Sequence, residues 1–136
     1  MAAYRASLEI AEALAAADPS HAGWQRDLSV SHNKIGDVLS AQGRLEEAGT
    51  AYRASLAIRE ALAAADPSNA GWQTDVVVSC VKVAQTVGQA PDGEGEARRL
   101  LQRGLGILRR LEAEGLLHGP QRQWIEAIEA MIAGSG

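Results

Sequence analysis

Residues 3–34 return almost unchanged as residues 51–82, and this duplication constrains the fold more than any other feature of the chain. AYRASLEIAEALAAADPSHAGWQRDLSVSHNK and AYRASLAIREALAAADPSNAGWQTDVVVSCVK are identical at 24 of 32 positions, at a spacing of 48 residues. A long fixed period is the mark of a stacked repeat, in which each unit buries its apolar face against its neighbours. Such arrays usually work as surfaces for partners.

The local pattern within the unit is helical. Residues 2–17 are rich in alanine, leucine and glutamate, without proline or glycine, and favour a helix. Tyr4, Leu8, Ile10, Ala11 and Leu14 recur at helical spacing and give it an apolar face. Asp18-Pro19 stops it, because the residue before proline is pushed out of the α region. Ser20 or His21 opens the next helix, and Gly43 supplies the left-handed turn that closes it. The duplication repeats this layout. Helices are therefore expected near 2–17, 22–42, 44–65, 70–88, 95–114 and 120–133. No stretch alternates with period two, so no strand is expected.

The last third reads as a worn copy of the unit. A shift of 49 lays the helix from Ala97 over the one from Ala48, with Leu101 on Tyr52 and Gly104 on Ser55. Gly104 is expected where a neighbouring backbone comes close; Gly106 has no evident reason. Trp124 follows a small insertion and falls on the place of Trp24 and Trp72. The single domain thus divides into a half repeat (1–20), a full repeat (21–68), a degenerate repeat (69–117), and a closing helix with the tail Gly134-Ser135-Gly136 (118–136). The array starts on the second helix of a unit, which suggests the C-terminal part of a longer one.

Ile35 to Leu56 resembles the tetratricopeptide repeat (TPR). Ile35-Gly36 falls on that family's Leu-Gly pair, Gly43 on its turn glycine, and Ala48, Tyr52 and Ser55-Leu56 on its small–aromatic–small pattern. Ser55-Leu56-Ala57-Ile58-Arg59-Glu60 looks most like the long-helix variants of kinesin light chains and bacterial signalling proteins. The family's unit is shorter; the extra length here lies in both helices. The resemblance implies an all-α, right-handed α-solenoid of antiparallel helix pairs, about six helices in all. It also implies a concave groove lined by Arg26, Val30, Asn33 and Asp37, then Thr74, Val78, Val81 and Gln85, bordered by Lys34 and Lys82. Val30, Val78 and Val81 among polar groups suit an extended peptide or a partner helix. The family's two-carboxylate clamp is not expected. Asn33 stands where it needs lysine, and Asp37 would repel a carboxylate.

Composition narrows the remaining classes. A net charge of −4 argues against a general nucleic-acid binder, and no apolar run reaches the ~20 residues of a membrane span. One cysteine, Cys80, suits a reducing compartment, and the chain is expected in the cytoplasm. Cys80 reads as a buried inert thiol, and the three tryptophans as structural wedges. The histidines lack metal-ligand spacing, and no nucleophile–base or phosphate-loop pattern occurs. Neither enzymatic activity nor a cofactor is expected. Arg98, Arg99, Arg103, Arg109 and Arg110 give the fifth helix a basic outer side that would suit an acidic partner.

The expected function is that of a protein–protein interaction scaffold or adaptor. The alternative is self-assembly through Tyr4, Leu8, Ile10 and Leu14, which would form an uncovered apolar strip and pair the chain as a homodimer through its N-terminal helix.

Overall fold

The computed structural model describes residues 2–134. Its six helices are α1 (Ala2–Ala17), α2 (Ala22–Ala41), α3 (Leu45–Ala65), α4 (Ala70–Val87), α5 (Glu94–Ala113) and α6 (Gly119–Gly134), and no strand occurs among the described residues. Each boundary falls within one residue of the expected one. Ser135 and Gly136 of the expected tail lie outside the described residues, and Gly134 is the last residue of α6.

Local chemistry explains the boundaries. The Asp18 carboxylate accepts hydrogen bonds from the Ser20 N–H at 3.1 Å and its hydroxyl at 2.6 Å, and Asp66 does the same with Ser68 at 3.3 and 2.6 Å. These Asx turns end α1 and α3. His21 then caps α2: its Nδ1 accepts the Trp24 N–H at 3.0 Å. In the second copy Asn69 Oδ1 accepts the Trp72 N–H at the same distance. Two different side chains supply one acceptor where the first turn needs it.

Two other turns use glycine. Gly43 has φ +76° and Gly115 φ +72°. After each, the next N–H reaches back to close a Schellman motif, Arg44 onto the Leu39 carbonyl and Leu116 onto that of Leu111, both at 2.9 Å. The connector between α4 and α5 is longer but still hydrogen-bonded, with Ala90 N–H on the Val87 carbonyl and Gly93 N–H on that of Ala90. A Cβ on Gly93 would stand 1.7 Å from the Val87 carbonyl oxygen, so only glycine fits this turn.

Each helix packs on the next, and the short connections make neighbours antiparallel. One core cluster joins Ile35 and Leu39 of α2, Tyr52 and Leu56 of α3, and Val76, Cys80 and Val83 of α4. The other joins Val77 and Ala84 of α4, Leu101, Leu105 and Leu108 of α5, and Ile128 of α6. α4 therefore buries residues on two sides. Helices two apart are also neighbours: ion pairs tie α2 to α4 (Arg26–Asp75, Asp37–Lys82) and α3 to α5 (Arg53–Glu96, Glu60–Arg103).

Several expectations change in detail. The nearest neighbours of a Cβ on Gly104 would be side-chain atoms of Val77, Ile128 and Cys80 at 3.5–3.9 Å, not a backbone. Gly106 faces open space. Trp72 and Trp124 pack against the two clusters, whereas Trp24 stacks on the His21 ring, centroids 4.0 Å apart. Trp124 lies six residues beyond His118, which precedes α6, while Trp24 and Trp72 lie three beyond their caps. The insertion before Trp124 is thus taken up as extra helix at the start of α6. Leu8 is half-buried against the first cluster, so it leaves the uncovered strip that Ile10 and Leu14 occupy.

Candidate partner-binding groove

The expected groove residues occupy α2 and α4, and the structure gives them unequal roles. Arg26 holds Asp75 with two hydrogen bonds, Nε to Oδ2 at 2.8 Å and Nη2 to Oδ1 at 3.2 Å. That bidentate pairing raises the Arg26 pKa, so the guanidinium is held in its charged form. Asp37 accepts from the Tyr52 hydroxyl and from Lys82 Nζ, the latter at 3.0 Å. Lys82 Nζ also lies 5.8 Å from the centre of the Tyr52 ring, within range of a cation–π contact. Two charged candidates, Arg26 and Asp37, thus already have partners within the chain.

Thr74 is buried, and its hydroxyl donates to the Gly71 carbonyl at 3.0 Å. It offers nothing to a ligand. Val30 is half-buried. Asn33 keeps a buried side-chain oxygen without a hydrogen-bond partner, a group that gains from any donor brought to it. Gln85 is exposed and lines a cleft of about 530 Å³ with Asp37, Tyr52 and Lys82, between the C-terminal halves of α2 and α4.

Val78 and Val81 face α6 instead. With Lys82, Trp124, Ile128 and Met131 they line a cleft of about 190 Å³. Its walls are apolar except at Lys82, which belongs to both clefts. The sequence pattern found the α4 wall and missed the α6 wall. Trp124 read as a structural wedge, and Met131 lies in a helix without a faithful copy. The signal available was the apolar spacing of Trp124, Ile128 and Met131 itself.

A second feature escaped the sequence reading. Arg59 of α3 is 5% exposed. Its Nε donates to Ser29 Oγ at 3.0 Å, and Nη1 to Ser79 Oγ at 3.1 Å and to the Asp75 carbonyl at 3.2 Å. Burial lowers its pKa, with Asp75 opposing. The first copy has Ala11 at this place, so the departure from the duplication was the clue. Arg59 joins α2, α3 and α4 beneath the Arg26–Asp75 pair.

On α1, Tyr4, Ile10 and Leu14 remain exposed at 41, 64 and 40%. Of their counterparts in α3, Tyr52 and Leu62 are buried at 3 and 9%, whereas Ile58 is half-buried. On α5 the arginines are partly satisfied within the chain: Arg103 pairs with Glu60 at 2.8 Å and Arg109 with Glu129 at 3.0 Å. Cys80 is wholly buried, and burial pushes its thiol up to about 11, which leaves it protonated and inert.

Among the described residues no group of three or more His, Cys, Asp and Glu side chains could hold a metal ion, and no helix is long and apolar enough to cross a membrane. Compared with protein-family models, curated proteins and solved structures, the chain gave no match.

Proposed function

We propose that the chain is a TPR-like helical repeat, a right-handed solenoid whose concave side is lined by α2, α4 and α6 and binds a peptide or partner helix. The two rows of neighbouring helices support this reading, since one row would form the inner wall and the other the outer. The Ile35–Leu56 pattern supports the family.

One observation carries the functional part: the apolar cleft of about 190 Å³ between α4 and α6, opening beside the polar cleft of α2 and α4. A space of that size suits one large apolar side chain rather than a whole small-molecule ligand. Lys82, Asp37 and Gln85 next to it offer donors and acceptors to the partner's polar groups. Solvent-exposed ion pairs such as Asp37–Lys82 contribute roughly 0–1 kcal/mol, so a partner can exchange with them at little cost. An anchor in an apolar pocket with a polar rim is the usual layout of a binding hot spot. In this reading the partners are proteins or peptides, and the chain needs neither catalysis nor a cofactor.

Selection from a displayed random-peptide library tests it. Binders should carry one large apolar residue and should lose affinity for Val78→Glu and Val81→Glu. Binders indifferent to both substitutions would remove the groove from the account.

A further inference from the structure

α5 buries Leu101, Leu105 and Leu108 against α4 and α6, and its opposite side carries five exposed arginines, Arg98, Arg99, Arg103, Arg109 and Arg110. Gly106 stands in the middle of them. Its surface neighbours, three and four residues away, are Gln102, Arg103, Arg109 and Arg110. A Cβ on Gly106 would meet nothing within 4 Å, so the helix is bare at the centre of the arginine face. α5 has a packed helix before it and another after it, and this side is open all the same.

The fold does not require charge here. A shift of 49 lays Arg99, Arg103 and Arg110 on Thr50, Ala54 and Ala61 of α3, and Arg109 on Glu60. The same place in the preceding unit is thus built without arginine. Solubility does not call for them either, since they pull the net charge towards zero, to −4. Nor does internal pairing use them up. Arg98, Arg99 and Arg110 make no ion pair among the described residues, and Arg99 only adds to the Coulomb field at Glu96. Arg103 and Arg109 hold Glu60 and Glu129 in exposed pairs, which a competing carboxylate replaces at little cost.

We propose that this face docks a short acidic segment of another protein, whose carboxylates pair with the arginines around Gly106. Charge sets the sign of the occupant, and the ends of the strip set its size. Arg98 to Arg110 is twelve residues along the helix, about 18 Å. Glu94 and Glu96 close the strip at one end, Glu112 and Glu114 at the other. A nucleic acid or an anionic membrane runs on past both ends and meets those carboxylates, whereas a few Asp or Glu side chains fit between them. Between the arginines lie Gln102 and Gly106, with no aromatic ring for a base to stack on and no large apolar residue to enter a lipid layer. Guanidinium groups instead match carboxylates with paired hydrogen bonds. The inference does not depend on the groove.

The probe is an alanine-based helical peptide bearing glutamates three and four residues apart, titrated into the chain and followed by nuclear magnetic resonance. It has no large residue to anchor between α4 and α6. Amides of residues 98–110 should shift while the Trp124 indole stays still, and added salt should weaken binding. Arg99→Gln with Arg110→Gln should raise the dissociation constant at least about tenfold. Arg5→Gln with Arg122→Gln removes equal charge outside the face and should change it less than about twofold. Gly106→Met, which fills the bare centre, should weaken binding with no loss of thermal stability. No shift at millimolar peptide, or equal losses from the two arginine pairs, would overturn the proposal. So would tighter binding of duplex DNA or phosphatidylserine vesicles through residues 98–110.

Discussion

Tyr52 of α3 donates its phenol hydrogen to the Asp37 carboxylate of α2, with its ring lying where a side chain on Gly36 would otherwise be. Burial first, and then Asp37, push the phenol above the usual tyrosine range. Tyr4 stands at the same place in the first copy and is 41% exposed, against 3% for Tyr52. Identical residues in duplicated helices should therefore respond differently. Tyr52→Ala should cost about 3–5 kcal/mol, and Tyr4→Ala less than about 1 kcal/mol. Urea unfolding of the two variants checks the contrast.

Glycines 36 and 106 should give opposite signs. A Cβ on Gly36 would come within 2.6 Å of the buried Tyr52 ring, so Gly36→Ala should destabilise by about 1–3 kcal/mol despite the better helix propensity of alanine. Gly106 meets nothing within 4 Å, and Gly106→Ala should stabilise by about 1 kcal/mol. Thermal unfolding of both variants reads the signs directly.

The buried Arg59 guanidinium satisfies the hydroxyls of Ser29 and Ser79. Arg59→Ala restores the residue of the first copy and leaves both hydroxyls without that partner, which should cost about 1–3 kcal/mol. The exposed Arg26–Asp75 pair should contribute less, about 1 kcal/mol or below. A double-mutant cycle between Arg59→Ala and Ser29→Ala should return a coupling of at least ~0.5 kcal/mol. Additive effects would mean that the contact contributes little.

His32 is held below the usual imidazole range by burial, with Glu12 pulling weakly the other way. The unfolded chain thus takes up this proton more readily than the folded one. The cost is absent above the unfolded pKa and grows as pH falls through 6.5 towards the lower folded value. His32→Gln should therefore flatten part of the loss of stability between about pH 7 and pH 5. Urea midpoints of the variant and the wild type across that range measure it.

The helices were legible because their punctuation is local and written twice. Asp-Pro at 18–19 and 66–67 and the caps at 21 and 69 act within a few residues in each copy, and Gly43, which has no copy, does the same at its own turn. Contacts between copies were not legible. Arg26 corresponds to Thr74 in register but pairs with Asp75, one residue on. Arg26, Ser29 and Arg59 are among the eight positions where the copies differ, and all three meet at the junction of α2, α3 and α4. These contacts join unlike positions, Arg26 with Asp75 and Asp37 with Lys82, so laying the copies over one another residue by residue does not reveal them. Of the candidate groove, Val78 and Val81 were readable from spacing; the α6 wall depends on packing between helices that share little sequence.

The central claim is that a partner seats an apolar anchor between α4 and α6, and Trp124 is a built-in reporter of that event. Nuclear magnetic resonance titration of the chain with a selected peptide resolves its indole N–H from those of Trp24 and Trp72. The account predicts that Trp124, Val78 and Val81 shift together and saturate at one affinity while Trp24 stays still. Saturable binding that moves only α1 or the outer face of α5, with Trp124 unmoved, would contradict it.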